Sequence, residues 1–231
     1  MNKFQTLPIP IRRDSDPYDT FERQIQKEDS LNQVRSIYAK SRPLLEFFIA
    51  FIGLILLLPV FFIIVILIKT TSRGPLFYAQ ERVGKDGRIF EIIKFRTMNV
   101  DAESLLGPIR AEKNDVRITN LGRILRSTHI DELPQLFNVI RGEMSIIGPR
   151  PERPFFVNKL KREIPGYVGR LITKPGITAL AQCCHRSDET IRDVQKKLRY
   201  DMLYIKRMCL ALDVKIILRT LRVSISREMA E

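Results

Sequence analysis

The sequence predicts a mainly helical α+β fold: an N-terminal re-entrant membrane helix kinked at Pro59, a short β-hairpin, and a helical cytoplasmic domain with interfacial amphipathic helices. Three observations carry this expectation. Residues Phe47 to Ile68 contain no charged side chain, about the twenty residues needed to enter a hydrocarbon core. The short apolar runs Leu76–Tyr78 and Ile89–Ile93 flank Gly84-Lys85-Asp86-Gly87, a turn signal that predicts a hairpin. Beyond residue 130, apolar residues recur at helical spacing.

The apolar run begins too far from Met1, is too long, and lacks the small-residue cleavage site of a signal peptide. Pro59 sits near its middle and removes one helical hydrogen bond, which favours a kink. Basic residues flank both ends: Arg35, Lys40 and Arg42 before it, Lys69, Arg73 and Arg82 after it. Positive flanks prefer the cytoplasmic side, so a helix that enters one leaflet and returns satisfies both facts. An ordinary span is the alternative, because membrane helices tolerate proline.

Three segments follow: residues 1–40 as a proline-containing, charged leader, 41–70 as the membrane-inserted helix, and 71–231 as a cytoplasmic membrane-associated domain. Within that domain Leu133, Leu136, Phe137 and Ile140 mark one helical face. Pro134 is tolerable only in a first turn, which predicts a helix from near Asp131 to Gly142. Further helices are predicted over 152–163, stopped by Pro165-Gly166, and over 191–207 and 210–224. In the last, Val214, Ile217, Leu218 and Leu221 oppose Lys215, Arg219 and Arg222. Such a face suits either a membrane interface or a core.

With 231 residues, 45% hydrophobic and 28% charged, the chain has the composition of a folded protein. A net charge of +13 points to an anionic partner. The basic residues are spread along the chain, and no aromatic–basic recognition motif occurs, so nucleic acid is not expected as that partner. Three cysteines, Cys183, Cys184 and Cys209, make a poor disulfide framework, and two histidines argue against a His-rich metal site. Cys183 and Cys184 read as small packing residues. His185 has no visible partner in the sequence and reads as incidental.

The chemistry-bearing residues gather in His129-Ile130-Asp131-Glu132-Leu133-Pro134-Gln135-Leu136 and Ile147-Gly148-Pro149-Arg150-Pro151. Acidic residues in a first helical turn can simply complement the macrodipole, for about 0.3–1 kcal/mol. Alternatively, one carboxylate serves as nucleophile and the other as ligand to Mg2+, which bridges carboxylates to substrate phosphates. Lys94, Arg96, Arg126 and Arg150 supply cations. Arg150 is the most constrained, because prolines flank it, and a guanidinium fork matches phosphate oxygens. Lys174-Pro175-Gly176 is a turn whose function is not legible from its residues.

At these positions the chain resembles the bacterial sugar transferases, the monotopic polyprenyl-phosphate sugar-1-phosphate transferases of small architecture. The similarity spans about Arg42 to Ile225. It rests on Phe77-Tyr78-Ala79-Gln80-Glu81-Arg82-Val83-Gly84, Ile93-Lys94-Phe95-Arg96-Thr97-Met98, Leu125 to Leu136, Gly142 to Glu152, and Lys174-Pro175-Gly176-Ile177-Thr178. The resemblance implies that Asp131 attacks the sugar-bearing phosphate of a nucleotide sugar, usually a UDP-sugar, and that UMP leaves. Polyprenyl phosphate, typically undecaprenyl phosphate, then attacks the phosphosugar–aspartyl intermediate, beginning glycan or exopolysaccharide assembly. It further implies that Glu132 binds Mg2+ and that Lys94, Arg126, Arg150 and Arg186 hold phosphates. A re-entrant helix in the bacterial inner membrane, with the catalytic domain on its cytoplasmic face, is part of the same implication. A homo-oligomer is left open.

Two departures stand out. Leu58 precedes the membrane proline where relatives often have a small polar residue. Ile177-Thr178-Ala179-Leu180-Ala181-Gln182-Cys183-Cys184-His185 replaces the usual Ile-Thr-Gly-Trp-Ala-Gln-Val-Asn-Gly, losing its aromatic. Both lie away from the acidic pair and bear on sugar or nucleotide choice. The competing expectation is a non-catalytic relative that scaffolds a membrane glycan-assembly complex.

Overall fold

A 40-residue helix, α1 (Asn32–Thr71), organises the molecule in the computed structural model, which describes residues 32–99, 115–185 and 190–225. The helical assignment runs on through Pro43 and Pro59, so any bend at Pro59 lies within a continuous helix. Along α1, Arg42, Glu46, Ala50, Leu54, Leu57, Phe61, Ile64 and Ile68 are buried or half-buried. Their spacing of three and four places them on one stripe. Leu45, Phe48, Ile52, Leu56, Ile63 and Leu67 are exposed on the rest of the surface. The stripe rests on the remainder of the chain along nearly its full length, and the other face has no protein cover among the described residues.

The expected hairpin forms from β1 (Phe77–Val83) and β2 (Ile89–Phe95), antiparallel with Phe77 opposite Phe95 and Val83 opposite Ile89. Its turn needs positive φ at Asp86 and Gly87 (56° and 78°), values that glycine and aspartate accept most readily. Helix α2 (Asn120–Ser127) follows, capped by Thr119, whose Oγ1 accepts the Gly122 N–H at 2.9 Å. Here α2 crosses the end of β2 so closely that a Cβ on Gly122 would lie 2.0 Å from the Thr97 carbonyl oxygen. Gly122→Ala is therefore expected to destabilise the protein by about 1–3 kcal/mol through overpacking, read as a lowered midpoint in a thermal unfolding experiment.

The helix expected from Asp131 to Gly142 is corrected by the structure. Residues Ile130–Glu132 form a separate 3-10 turn, and α3 covers only Gln135–Ile140. Pro134 has no N–H to return to Ile130, so the chain closes tighter i to i−3 bonds instead. Glu132 N donates to His129 O at 3.1 Å and Leu133 N to Ile130 O at 3.2 Å. Gly142, at φ 75°, ends the segment as predicted.

A second sheet was not anticipated. β3 (Ser145–Ile147) pairs in parallel with β4 (Gly176–Thr178). Between them lie α4 (Pro154–Glu163), which starts on a proline as helices favour, and a 3-10 stretch at Tyr167–Ile172. Then come α5 (Leu180–Cys184), α6 (Ile191–Arg207) and α7 (Leu210–Ile225). The last two match their predicted limits almost to the residue. Cys183 and Cys184 pack as expected, in a core with Leu180, Tyr204, Leu212 and Ile216. His185 does have a partner: its Nε2 lies 3.0 Å from Asp193 Oδ1 on α6. Asp193 also closes a capping box with Thr190.

On α7, Leu212, Asp213 and Ile216 face the core. Leu210, Val214, Ile217, Leu218 and Leu221 form an exposed apolar stripe. The interfacial reading of this helix thus has an uncovered apolar face to support it.

Candidate active site

The acidic pair sits at the floor of a cleft of about 700 Å3, a size suited to a small-molecule ligand. Three devices fix it there. His129 adopts a left-handed conformation (φ 56°) and turns the chain into the 3-10 segment; this backbone is uncommon for a non-glycine residue. Ile130 and Leu133, on either side of the pair, pack with Phe95, Leu125 and the α1 residues Val60 to Ile68. Asn138 fastens α3 to β2: its Nδ2 donates to Glu91 O and Glu143 Oε2, both at 2.7 Å, while Ile93 N donates to its Oδ1 at 3.1 Å. Fully satisfied, that buried amide locks α3 against the strand that carries Lys94.

The two carboxylates are adjacent and equally buried, yet their surroundings differ. Glu132 Oε1 accepts from Lys94 Nζ at 2.5 Å and from Arg150 Nη2 at 2.5 Å, and Oε2 lies 3.3 Å from Arg150 Nη1. Burial alone would raise its pKa, but the two cations outweigh it and hold Glu132 well below the usual carboxylate range. Asp131 has no hydrogen bond or ion pair among the described residues, though it lines the cleft. Its burial pushes its pKa up, partly offset by the charge of Lys94. Burial likewise lowers Lys94, against the pull of Glu132. Two cations favour the charged form of Glu132, whereas burial disfavours that form of Asp131, which lines the cleft without a side-chain partner among the described residues.

The remaining predicted cations divide. Arg126 lines the cleft with its Nε donated to Thr97 Oγ1 at 2.8 Å. Arg96 also borders the cleft, but its guanidinium turns to the end of α1, donating to Arg73 O at 2.8 Å, Ser72 O at 3.0 Å and Ser72 Oγ at 2.6 Å. Arg186 lies outside the described residues.

Sequence reasoning missed the residues that aim Arg150. Arg170 Nη2 donates to the Arg150 carbonyl at 2.9 Å, its Nη1 to Tyr167 Oη at 2.8 Å, and it pairs with buried Asp201 at 2.8 Å. Arg82 Nη1 donates to the Pro151 carbonyl at 2.9 Å. Two guanidinium groups therefore grip successive carbonyls of the Pro-Arg-Pro turn. Nothing in the spacing of Arg82, Arg170 and Asp201 announces this. His129 stood in the acidic stretch without an assigned role; its Nε2 is buried beside the acidic pair with no hydrogen-bond partner among the described residues.

A sequence model of the bacterial sugar transferase family matches residues 37–227. The chain belongs to the bacterial sugar transferase family. This bacterial sugar transferase is 42% identical, over 80% of its length, to the UDP-N-acetylgalactosamine-undecaprenyl-phosphate N-acetylgalactosaminephosphotransferase of Aeromonas hydrophila. It is 40% identical, over 84% of its length, to the UDP-glucose:undecaprenyl-phosphate glucose-1-phosphate transferase of Klebsiella pneumoniae. Over 72% of its length it is 38% identical to the Escherichia coli K12 protein of the same name. The bacterial sugar transferase spans only 44%, 41% and 36% of those three relatives, respectively. Proteins named for different sugars match it about equally well, so overall likeness does not select a sugar.

Among the described residues no three His, Cys, Asp or Glu side chains gather as a cage. Mg2+ needs none, because it commonly takes one or two carboxylates and completes its shell with water and substrate phosphates. Asp131 and Glu132 bring adjacent hard-oxygen donors to the cleft, and a bound Mg2+ would share Glu132 with Lys94 and Arg150.

Proposed function

We propose that the protein transfers a sugar-1-phosphate from a UDP-sugar to a polyprenyl phosphate at a membrane surface. The observation that carries the reading is the asymmetry of the acidic pair: Asp131 is buried, lines the cleft and has no hydrogen bond or ion pair among the described residues, whereas Glu132 is held by Lys94 and Arg150. Asp131 attacks the sugar-bearing phosphorus, a P–O bond forms to its carboxylate, and the bond to the bridging oxygen breaks to release UMP. A polyprenyl phosphate oxygen then attacks the same phosphorus, displaces Asp131, and yields polyprenyl diphosphate sugar. Two displacements through an enzyme carboxylate are nucleophilic catalysis. Lys94, Arg126 and Arg150 offset the negative charge that gathers on the phosphoryl oxygens. Glu132 would hold Mg2+, which supplies Lewis-acid polarisation of the phosphoryl oxygens when bound.

The membrane placement is part of the same proposal. Ala50 packs with Phe90, Val139 and Met144, and Ile64 and Ile68 pack with Phe95 and Leu125. These contacts lie on opposite sides of Pro59 and engage one domain. A helix crossing the bilayer would carry that polar domain into hydrocarbon, at a high cost. A helix entering and leaving by the cytoplasmic face keeps the domain in water and α1's apolar face in lipid. In bacteria the membrane so proposed is the inner one.

The test is release of UMP from a panel of UDP-sugars by purified protein with polyprenyl phosphate and magnesium. Release with one donor is the expected result and names the sugar. Release from none, by folded and membrane-integrated protein, overturns the proposal in favour of a scaffold.

A further inference from the structure

Four phenylalanine rings join the lipid-facing helix to the reaction cleft. Phe61, on α1 two residues past Pro59, meets Phe95 edge-on at 5.0 Å between ring centroids. Phe95 stacks with Phe77 at 5.5 Å. Phe61 also meets Phe137 of α3 at 6.4 Å. Phe77 and Phe95 line the cleft. Phe95 is a core residue, but Phe77 and Phe137 keep 41% and 40% of their surface exposed. Core packing does not account for two large rings left open at the ends of one aromatic row.

Two facts identify what covers them. The row reaches α1 at Phe61, a half-buried residue of the packed stripe that borders exposed Leu58 and Phe62 on the apolar face without protein cover among the described residues. It also borders the acidic pair, since Phe95 and Phe61 pack with Ile130 and Leu133, and Lys94 and Arg126 stand on the cleft side. A ligand that satisfies both ends is amphipathic, with a long apolar chain and an anionic head.

We infer that the row Phe77–Phe95–Phe61–Phe137 seats the first isoprene units of the acceptor lipid and directs its phosphate toward Asp131. The inference rests on the function proposed above. Flat, methyl-branched alkene units offer many dispersion contacts to ring faces. Anchoring them beside the dyad brings the acceptor phosphate into range without leaving the membrane surface.

The test compares steady-state KM values for a polyprenyl phosphate and for the UDP-sugar in wild-type protein, Phe77→Ala and Phe137→Ala. An aromatic contact of about 0.5–1.5 kcal/mol corresponds to about a two- to tenfold change in affinity. The ratio of acceptor KM to donor KM is therefore expected to rise by about that factor in each variant. Phe137→Leu, which keeps apolar bulk but loses the ring, is expected to fall between wild type and Phe137→Ala, and it carries the test if the alanine variant does not fold. Phe51→Ala, on α1 but off the row, controls for general lipid contact and should leave the ratio where it is. A ratio in Phe77→Ala and Phe137→Ala no different from that in Phe51→Ala overturns the inference while leaving the reaction intact. No donor-dependent UMP release by the wild-type protein overturns both.

Discussion

Asp131→Asn is expected to abolish turnover and at the same time to make the protein harder to unfold. Loss of the proposed nucleophile is expected to lower UMP release by about a thousandfold or more, since a residue acting covalently has no substitute in the site. The stability effect follows from the sign of the titration. Burial raises the Asp131 pKa in the folded state, so the folded protein binds that proton more tightly than the unfolded chain does. Above the raised pKa the ionised carboxylate costs stability, and the cost disappears as pH falls through it. Asparagine removes the charge at every pH. For a chain of this length each kcal/mol recovered raises the unfolding midpoint by about 2–4 °C. The same sign predicts that wild-type activity declines on its acid side above the ordinary aspartate range near about 3.9. Paired thermal melts and UMP assays decide the matter: an inactive variant that also melts lower would place Asp131 among the structural carboxylates.

Glu132→Gln is expected to do the opposite to stability. It leaves Lys94 and Arg150 facing one another without their shared anion. Breaking a fully buried pair typically costs about 3–5 kcal/mol. The Arg150 side chain keeps 38% of its surface exposed, so water screens part of the loss and about 2–3 kcal/mol is the expected scale. Because Glu132 is held below its ordinary pKa, its contribution is complete above the unfolded carboxylate pKa and is lost only as pH falls through the depressed folded value. The melting curves of wild type and variant should therefore differ most near neutral pH and converge in strong acid. A constant gap across that range would mean that the charge of Glu132 is not what matters. The contrast between adjacent positions is the signature of the site: one carboxylate weakens the fold and the other binds it together.

Much of this arrangement was legible in the residues. The uncharged run, the hairpin about its glycine turn, and the limits of α6 and α7 depend on local periodicity and caps, which a linear sequence states directly. The acidic pair and Lys94, Arg126 and Arg150 stood out by residue type and spacing. The β3–β4 pair did not, because strands of three residues carry no period and their partnership spans the whole of α4. The 3-10 turn under Asp131 was misread as helix, because Pro134 marks a helix start without revealing what precedes it. The clamp of Arg82 and Arg170 on the Pro-Arg-Pro turn was invisible for a different reason. Its partners are backbone carbonyls, which every residue has, so no side-chain pattern records them. Arg96 shows the converse, since its type fits a phosphate ligand while its side chain secures the end of α1.

The buried stripe of α1 also dictates an order of events during folding. Arg42 and Glu46 are charged, yet they are enclosed. Glu46 accepts from Ser145 Oγ and Ile146 N, 99 and 100 residues further along the chain. Tyr38 donates to Asp213, 175 residues away, and Arg42 lies 3.5 Å from that same carboxylate. A ribosome delivers α1 long before these partners exist. The helix thus emerges with Arg42 and Glu46 paired only to each other, and their remaining partners arrive only once β3 and α7 have been synthesised. The helix is made well before α7, and its packing is completed only with α7.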